Sequence, residues 1–182
     1  MRLKTLRNSI LFMTLALFIL TSCQQQTTAE KAADLRNEIS KLQQQLFENR
    51  TEAMDLVKAD SMIMLYKKYA ITYGNDTLAV DYLFKAAEVE MGVNKNEDCI
   101  ATLTLIQNKY PDNEIIPMVL HFKAFVYDDK FEDFDKARAT LDELIENYPD
   151  NSLIENAKAY RNMIGKDPAE LFENADSAAV AN

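Results

Sequence analysis

Three short segments of this chain recur at an almost fixed interval. Tyr73-Gly74-Asn75-Asp76-Thr77, Tyr110-Pro111-Asp112-Asn113-Glu114 and Tyr148-Pro149-Asp150-Asn151-Ser152 start 37 and then 38 residues apart. Each carries the chemistry to close one helix and open the next. Proline cannot continue a helix and drives the residue before it toward extended geometry. Asp and Asn cap the N-terminus that follows. Gly74 stands in the proline position of the first segment and suits a left-handed C-terminal cap. A chain punctuated in this way is a succession of helix pairs. Three Gly and four Pro in 182 residues, with abundant Ala, Leu, Glu, Lys and Gln, point the same way, to an all-α protein.

Between the punctuation marks the pattern predicts helices over 76–91, 97–109, 114–128, 134–147 and 152–164, the last opened by a Ser152–Glu155 capping box and closed at Gly165. Asp167-Pro168-Ala169-Glu170 starts a short final helix, with proline at its first position. Two helices precede the repeats. One spans 29–48 behind a Thr27–Glu30 capping box. Its Leu35, Ile39, Leu42 and Leu46 form a narrow heptad stripe, the seam of a coiled coil or of a hairpin with the next helix. The other spans 50–72 behind Asn49 and Glu52, with Ala53, Met54, Val57, Met64, Leu65 and Tyr69 as its apolar face. The chain then divides into 1–22, a tether at 23–28, helices at 29–72, repeats with a capping helix at 73–172, and a disordered tail at 173–182.

The positions inside each pair carry a family resemblance. Ala87 and Ala124 are small residues of a first helix. Cys99 and Ala137 are small residues opening a second helix, and Leu103 and Leu141 are large apolar residues four positions on. Ile106 and Leu144 follow where Ala is usual, Leu83 and Leu120 stand where Trp is common, and Pro111 and Pro149 match a terminal proline. Tyr127 matches an aromatic position that Glu90 does not. Over roughly 74–165, and more loosely over 50–73, this resembles the tetratricopeptide repeat (TPR), whose usual period is 34 residues. The resemblance implies a TPR-like helical solenoid of antiparallel helix pairs, preceded by a heptad-patterned helix, in which units stack because none buries its apolar face alone. An irregular helical bundle with coincidental spacing is the alternative.

The N-terminus is of another kind. Arg2, Lys4 and Arg7 precede an uncharged apolar run from Ile10 to Leu20, and Leu20-Thr21-Ser22-Cys23 resembles the bacterial lipobox. The run is 11 residues long, against about 20 for a membrane-spanning helix. A signal peptide over 1–22 is expected, with Cys23 lipidated and N-terminal; an uncut N-terminal anchor is the other reading. Gln24, by resemblance to the bacterial sorting rule, implies the outer membrane, with the body facing the periplasm or the cell surface. Lipidation of Cys23 leaves Cys99 without a disulfide partner. Loss of Arg2, Lys4 and Arg7 takes the net charge from −9 to −12, which disfavours nucleic acid as a partner. Lipobox, TPR units and Tyr-Pro-Asp loops together resemble envelope lipoproteins of the outer-membrane-assembly scaffold type. The heptad helix ahead of the repeats also resembles the coiled-coil/TPR type that works beside the Tol-Pal system, which is not usually lipidated.

Catalytic motifs are lacking. His121 is the single histidine. There is no HExxH, CxxC, Gly-rich phosphate loop or GxSxG, and no calcium-loop pattern, so neither an enzyme nor a metal or cofactor is expected. Cys99 read as a nucleophile competes with Cys99 as a small core residue. The resemblance places a partner-binding concave face on the first helix of each pair. Counted from Ala87 and Ala124, that face comprises Asp81, Phe84, Glu88, Met91, Met118, His121, Phe125 and Asp128. Phe84 and Phe125 are alternatively plain core residues. The expectation is an adaptor holding an envelope protein or peptide. A structural homo-oligomer built through 29–48 and an accessory ligand-binding lipoprotein are the competing readings.

Overall fold

The computed structural model describes residues 27–47 and 55–166. Their regular structure is helical throughout: α1 (Thr28–Phe47), α2 (Leu56–Thr72), α3 (Leu78–Gly92), α4 (Asn96–Lys109), α5 (Ile116–Phe131), α6 (Phe134–Asn147) and α7 (Ile154–Met163). The expected signal peptide, Cys23, the Asn49–Glu52 pair, Ala53, Met54, the helix after Pro168 and the tail lie outside the described residues. The chain divides into two units, one ending at Asp34 and one beginning at Leu35. Of the first, the start of α1 is described. There Thr27 N–H donates to Glu30 Oε2 at 2.7 Å and Glu30 N–H donates to Thr27 Oγ1 at 3.2 Å, a reciprocal capping box.

The second unit is a TPR-like solenoid. From α2 onward each helix packs on its neighbours in sequence. The three Tyr segments have one geometry. Tyr73, Tyr110 and Tyr148 close their helices at φ −122°, −130° and −132°, each N–H donating to the carbonyl four residues back. Three residues on, Asp76, Asn113 and Asn151 accept from the N–H of Leu78, Ile115 and Leu153 at 2.9, 3.0 and 3.0 Å. The capping residue is therefore the third after Tyr. In the first loop the Asp and Asn are exchanged, and Asp76 takes the role that Asn has in the other two.

Two expectations are corrected here. Ser152 and Glu155 do not form a capping box. Asn151 already serves the start of α7, and Glu155 pairs with Lys158 instead. Gly74 is not left-handed; it sits where space is tight. A Cβ there would lie 3.1 Å from the Ala70 carbonyl oxygen and 2.6 Å from Lys109 Nζ. Lys109 Nζ donates to Ala70 O at 3.1 Å and Tyr110 Oη donates to Gly74 O at 3.0 Å, which draws successive loops together.

Among the described residues the left-handed positions are Asn94 (φ 59°), Glu132 (φ 51°) and Gly165 (φ 68°). Asn94 builds a Schellman cap: its N–H donates to Met91 O at 3.0 Å and Lys95 N–H to Glu90 O at 2.8 Å. Asn tolerates this conformation and Glu does not. Glu132→Gly is therefore expected to stabilise the chain by about 1 kcal/mol, read as a higher midpoint in urea with an unchanged slope.

The core follows the small–large alternation. Ala87, Ala124, Cys99 and Ala137 are completely buried, letting helices approach, and Leu103, Leu141, Ile106, Leu144, Leu83 and Leu120 fill the space between pairs. Helix α2 departs from expectation. Leu65 and Tyr69 are buried, but Val57 and Met64 are 77% and 62% exposed, and the buried face is completed by Ala59, Met62, Ile63, Tyr66 and Ala70. Two apolar stripes compete on this helix. The one with two tyrosines packs inward, stacking Tyr66 on Tyr82 at 5.4 Å and Tyr69 edge-on to Tyr82 at 4.8 Å. On α1, Leu35 and Ile39 are buried, while Leu42 and Leu46 are half-buried. Arg36 ties α1 to this aromatic group: Arg36 Nη1 donates to Tyr69 Oη, which donates to Asp76 Oδ2, both at 2.8 Å. Among the described residues no helix is long and apolar enough to cross a membrane.

Candidate protein-binding face

Helices α3, α5 and α7 are the first helices of successive pairs. All eight residues expected on the binding face fall on α3 and α5, and none is fully buried. Asp81, Glu88, Met118 and Phe125 are exposed, whereas Phe84, Met91, His121 and Asp128 are half-buried. Phe84 and Met91 also pack against the core, so Phe84 is a partly buried core neighbour, while Phe125 is a surface ring.

The rings form a continuous group. Phe84 on α3 meets Phe122 on α5 at 5.6 Å between centroids, tilted by 57°, and Phe122 stacks on Phe125 at 6.5 Å. Toward α7, His121 lies 5.8 Å from the Tyr160 ring, and its Nε2 is 2.8 Å from Asn156 Oδ1. Tyr160 Oη donates to Asp128 Oδ2 at 2.7 Å. Burial, reinforced by that bond, pushes the Tyr160 phenol well above its ordinary range. His121 and Asp128 thus join α5 to α7, as the Phe84–Phe122 contact joins α3 to α5.

Phe122, Asn156 and Tyr160 belong to this row and escaped the count from the small residues. Counting three and four places from Ala124 steps over position 122. The 38-residue interval between the second and third Tyr segments relates Phe122 to Tyr160, whereas Phe84 stands one position out of that register, since the first two units are 37 residues apart and set Phe84 opposite His121; each first helix carries a half-buried ring.

The charges around the rings are mainly acidic. Asp81 and Glu88 flank Phe84, and loss of hydration raises the Glu88 carboxyl above its usual range despite Lys85 nearby. Lys123 is a second cation beside the rings, and Lys130, Lys158 and Arg161 lie further along α5 and α7. Burial lowers the Lys123 ammonium below the usual lysine range, and its Nζ donates to Gln107 Oε1 at 2.7 Å. The row offers aromatic and thioether surface bordered by carboxylates, a surface that can hold an apolar segment carrying basic residues.

Chemistry of the catalytic kind finds no footing at Cys99. It is completely buried, and burial, followed by the nearby Glu90 charge, pushes its thiol up to about 12. A thiol so protonated is a core residue. Among the described residues no group of three His, Cys, Asp or Glu side chains is placed to hold a metal ion.

Residues 123–151 match the family model of the tetratricopeptide repeat. That span runs from Lys123 in α5 through all of α6 to Asn151 in the third Tyr loop. No curated protein matches the chain. Repeats of this family generally mediate protein–protein interaction, and the matched span includes Phe125 and Asp128 of the row.

Proposed function

We propose that this chain is a lipid-anchored adaptor of a bacterial cell envelope, which holds another protein against the row formed by α3, α5 and α7. The observation that carries the reading is the ring group that Phe84, Phe122 and Phe125 form across α3 and α5, with Tyr160 half-buried on α7 and Met118 exposed on α5. Aromatic surface kept half-open on three successive first helices is the arrangement a peptide or helix can lie along. The acidic border favours a partner segment that combines apolar with basic residues.

The anchor rests on sequence chemistry. Leu20-Thr21-Ser22-Cys23 supplies the pattern that a lipoprotein peptidase reads, and the Cys23 thiol is the acyl acceptor. More than one acyl chain makes membrane attachment stable. A few polar residues then separate the lipid from α1, so the partner would be held close to the membrane surface.

Crosslinking in intact envelopes tests both parts. The natural chain is expected in the membrane fraction, carrying labelled lipid and crosslinked to a different protein. Cys23→Ser is expected to accumulate as a precursor that takes up no lipid label. Lipid label on Cys23→Ser would refute the anchor. Recovery of nothing but copies of the chain itself would refute the adaptor.

A further inference from the structure

Among the described residues nothing covers the second apolar stripe of α2. Val57, Met64 and Ile71 are 77%, 62% and 76% exposed, each seven residues from the next. Seven residues is two helical turns, so the three side chains line one side of α2 over about 21 Å. The opposite side of the helix carries the fully packed residues Met62, Tyr66 and Tyr69. A strict seven-residue interval is the pattern that meshes with another helix rather than with a flat surface.

We propose that this stripe is the contact by which two copies of the chain associate, with their α2 helices antiparallel about a two-fold axis passing at Met64. The charges beside the stripe select this arrangement. Asp60 lies four residues before Met64 and Lys68 four residues after it, and both are exposed. Antiparallel pairing about Met64 puts Val57 on the second copy's Ile71 and Asp60 opposite its Lys68, and the symmetry makes each contact twice. Parallel pairing would put Asp60 against Asp60 and Lys68 against Lys68, which repel. Asp60 accepts from Lys95 Nζ at 2.7 Å within its own chain, yet its side chain is 56% exposed, so a second cation can reach it.

A receptacle lies beside the axis. Glu38, Lys41, Leu42 and Gln45 of α1 with Ser61, Met64 and Leu65 of α2 line a cavity of about 310 Å³, charged on its α1 side and apolar at Leu42, Met64 and Leu65. Its apolar wall is continuous with the stripe, and it can take in side chains from the second copy. The half-buried end of the α1 stripe then contributes to the contact, while Leu35 and Ile39 stay engaged within the chain.

Cysteine placement tests the register, because a residue on a two-fold axis meets its own copy. The full chain in mild detergent, oxidised gently, is the material; the unsubstituted chain sets the background, and Cys99 is buried. Met64→Cys is expected to form a disulfide dimer well above the unsubstituted chain. Val57→Cys alone is expected to stay at that background, and a mixture of Val57→Cys with Ile71→Cys chains to crosslink. Met64→Cys at background, or Val57→Cys crosslinking as well as Met64→Cys, overturns the proposal. Lys68→Asp is expected to weaken association about tenfold, and adding Asp60→Lys to restore it. Failure of the charge exchange to restore association also overturns it.

Discussion

Lys67→Met is expected to lower the unfolding free energy by about 3 kcal/mol, and adding Glu90→Leu to recover most of that loss. Glu90 is 1% exposed, at the end of α3. Lys67 of α2 reaches it at 2.5 Å and Thr102 of α4 donates to its Oε2 at 2.8 Å, so one carboxylate joins three helices. Removing Lys67 leaves that carboxylate with a single hydroxyl partner in a dry site. An uncompensated buried charge costs several kcal/mol, whereas an apolar pair of similar volume is often neutral or better. Lys67 is itself one-third exposed, which keeps the expected loss at the lower end of the range for buried pairs. In a domain of this size it corresponds to a melting temperature lower by about 10 °C. Thermal melts of Lys67→Met, Glu90→Leu and the double variant close the cycle. A double variant no more stable than Lys67→Met would show that Glu90 is not held as an ion pair.

Glu90 also marks how far sequence reasoning reaches. The spacing of the Tyr segments and the small–large alternation made the helix pairs legible, because both reflect local rules: proline and Asx chemistry for the loops, volume for the crossings. Glu90 read only as a departure from an aromatic position. Its partner Lys67 is 23 residues away and outside the repeat, so no local rule pairs them. In the next unit the equivalent Tyr127 has Lys136 above its ring at 5.5 Å. Both units thus offer a lysine something to bind, a carboxylate in one and a ring face in the other.

Helix α2 shows a second limit. Val57, Met64, Leu65 and Tyr69 looked like one face, yet the helix is apolar on two sides. Which stripe packs inward was settled by the Tyr66–Tyr69–Tyr82 group, a contact with α3 that α2 alone does not announce. Asn94 and Glu132 were likewise hidden, since a left-handed turn was sought at glycine. The aromatic row was legible in part. Phe122 and Tyr160 lie at the 38-residue interval of the second and third units, and counting from the alanines missed both; Phe84 stands one position out of that register, so its meeting with Phe122 is a matter of helix packing.

That row carries the functional reading. Phe125 is a surface ring stacked on Phe122, and Phe84 reaches across from the preceding pair to the same ring. Truncating both to alanine removes the two ends of the group around Phe122. Loss of aromatic anchors at a protein contact commonly costs 2 kcal/mol or more each, so the pair together should weaken binding by about a thousandfold. Part of the Phe84 change falls on stability, because Phe84 also packs against the core; circular dichroism must therefore show helicity preserved. The direct measurement is recovery of the crosslinked partner from native envelopes with Phe84→Ala and Phe125→Ala combined. The account predicts that the partner disappears while the helical signal and the membrane fraction of the chain are unchanged. Undiminished recovery of the partner from that folded double variant would contradict it.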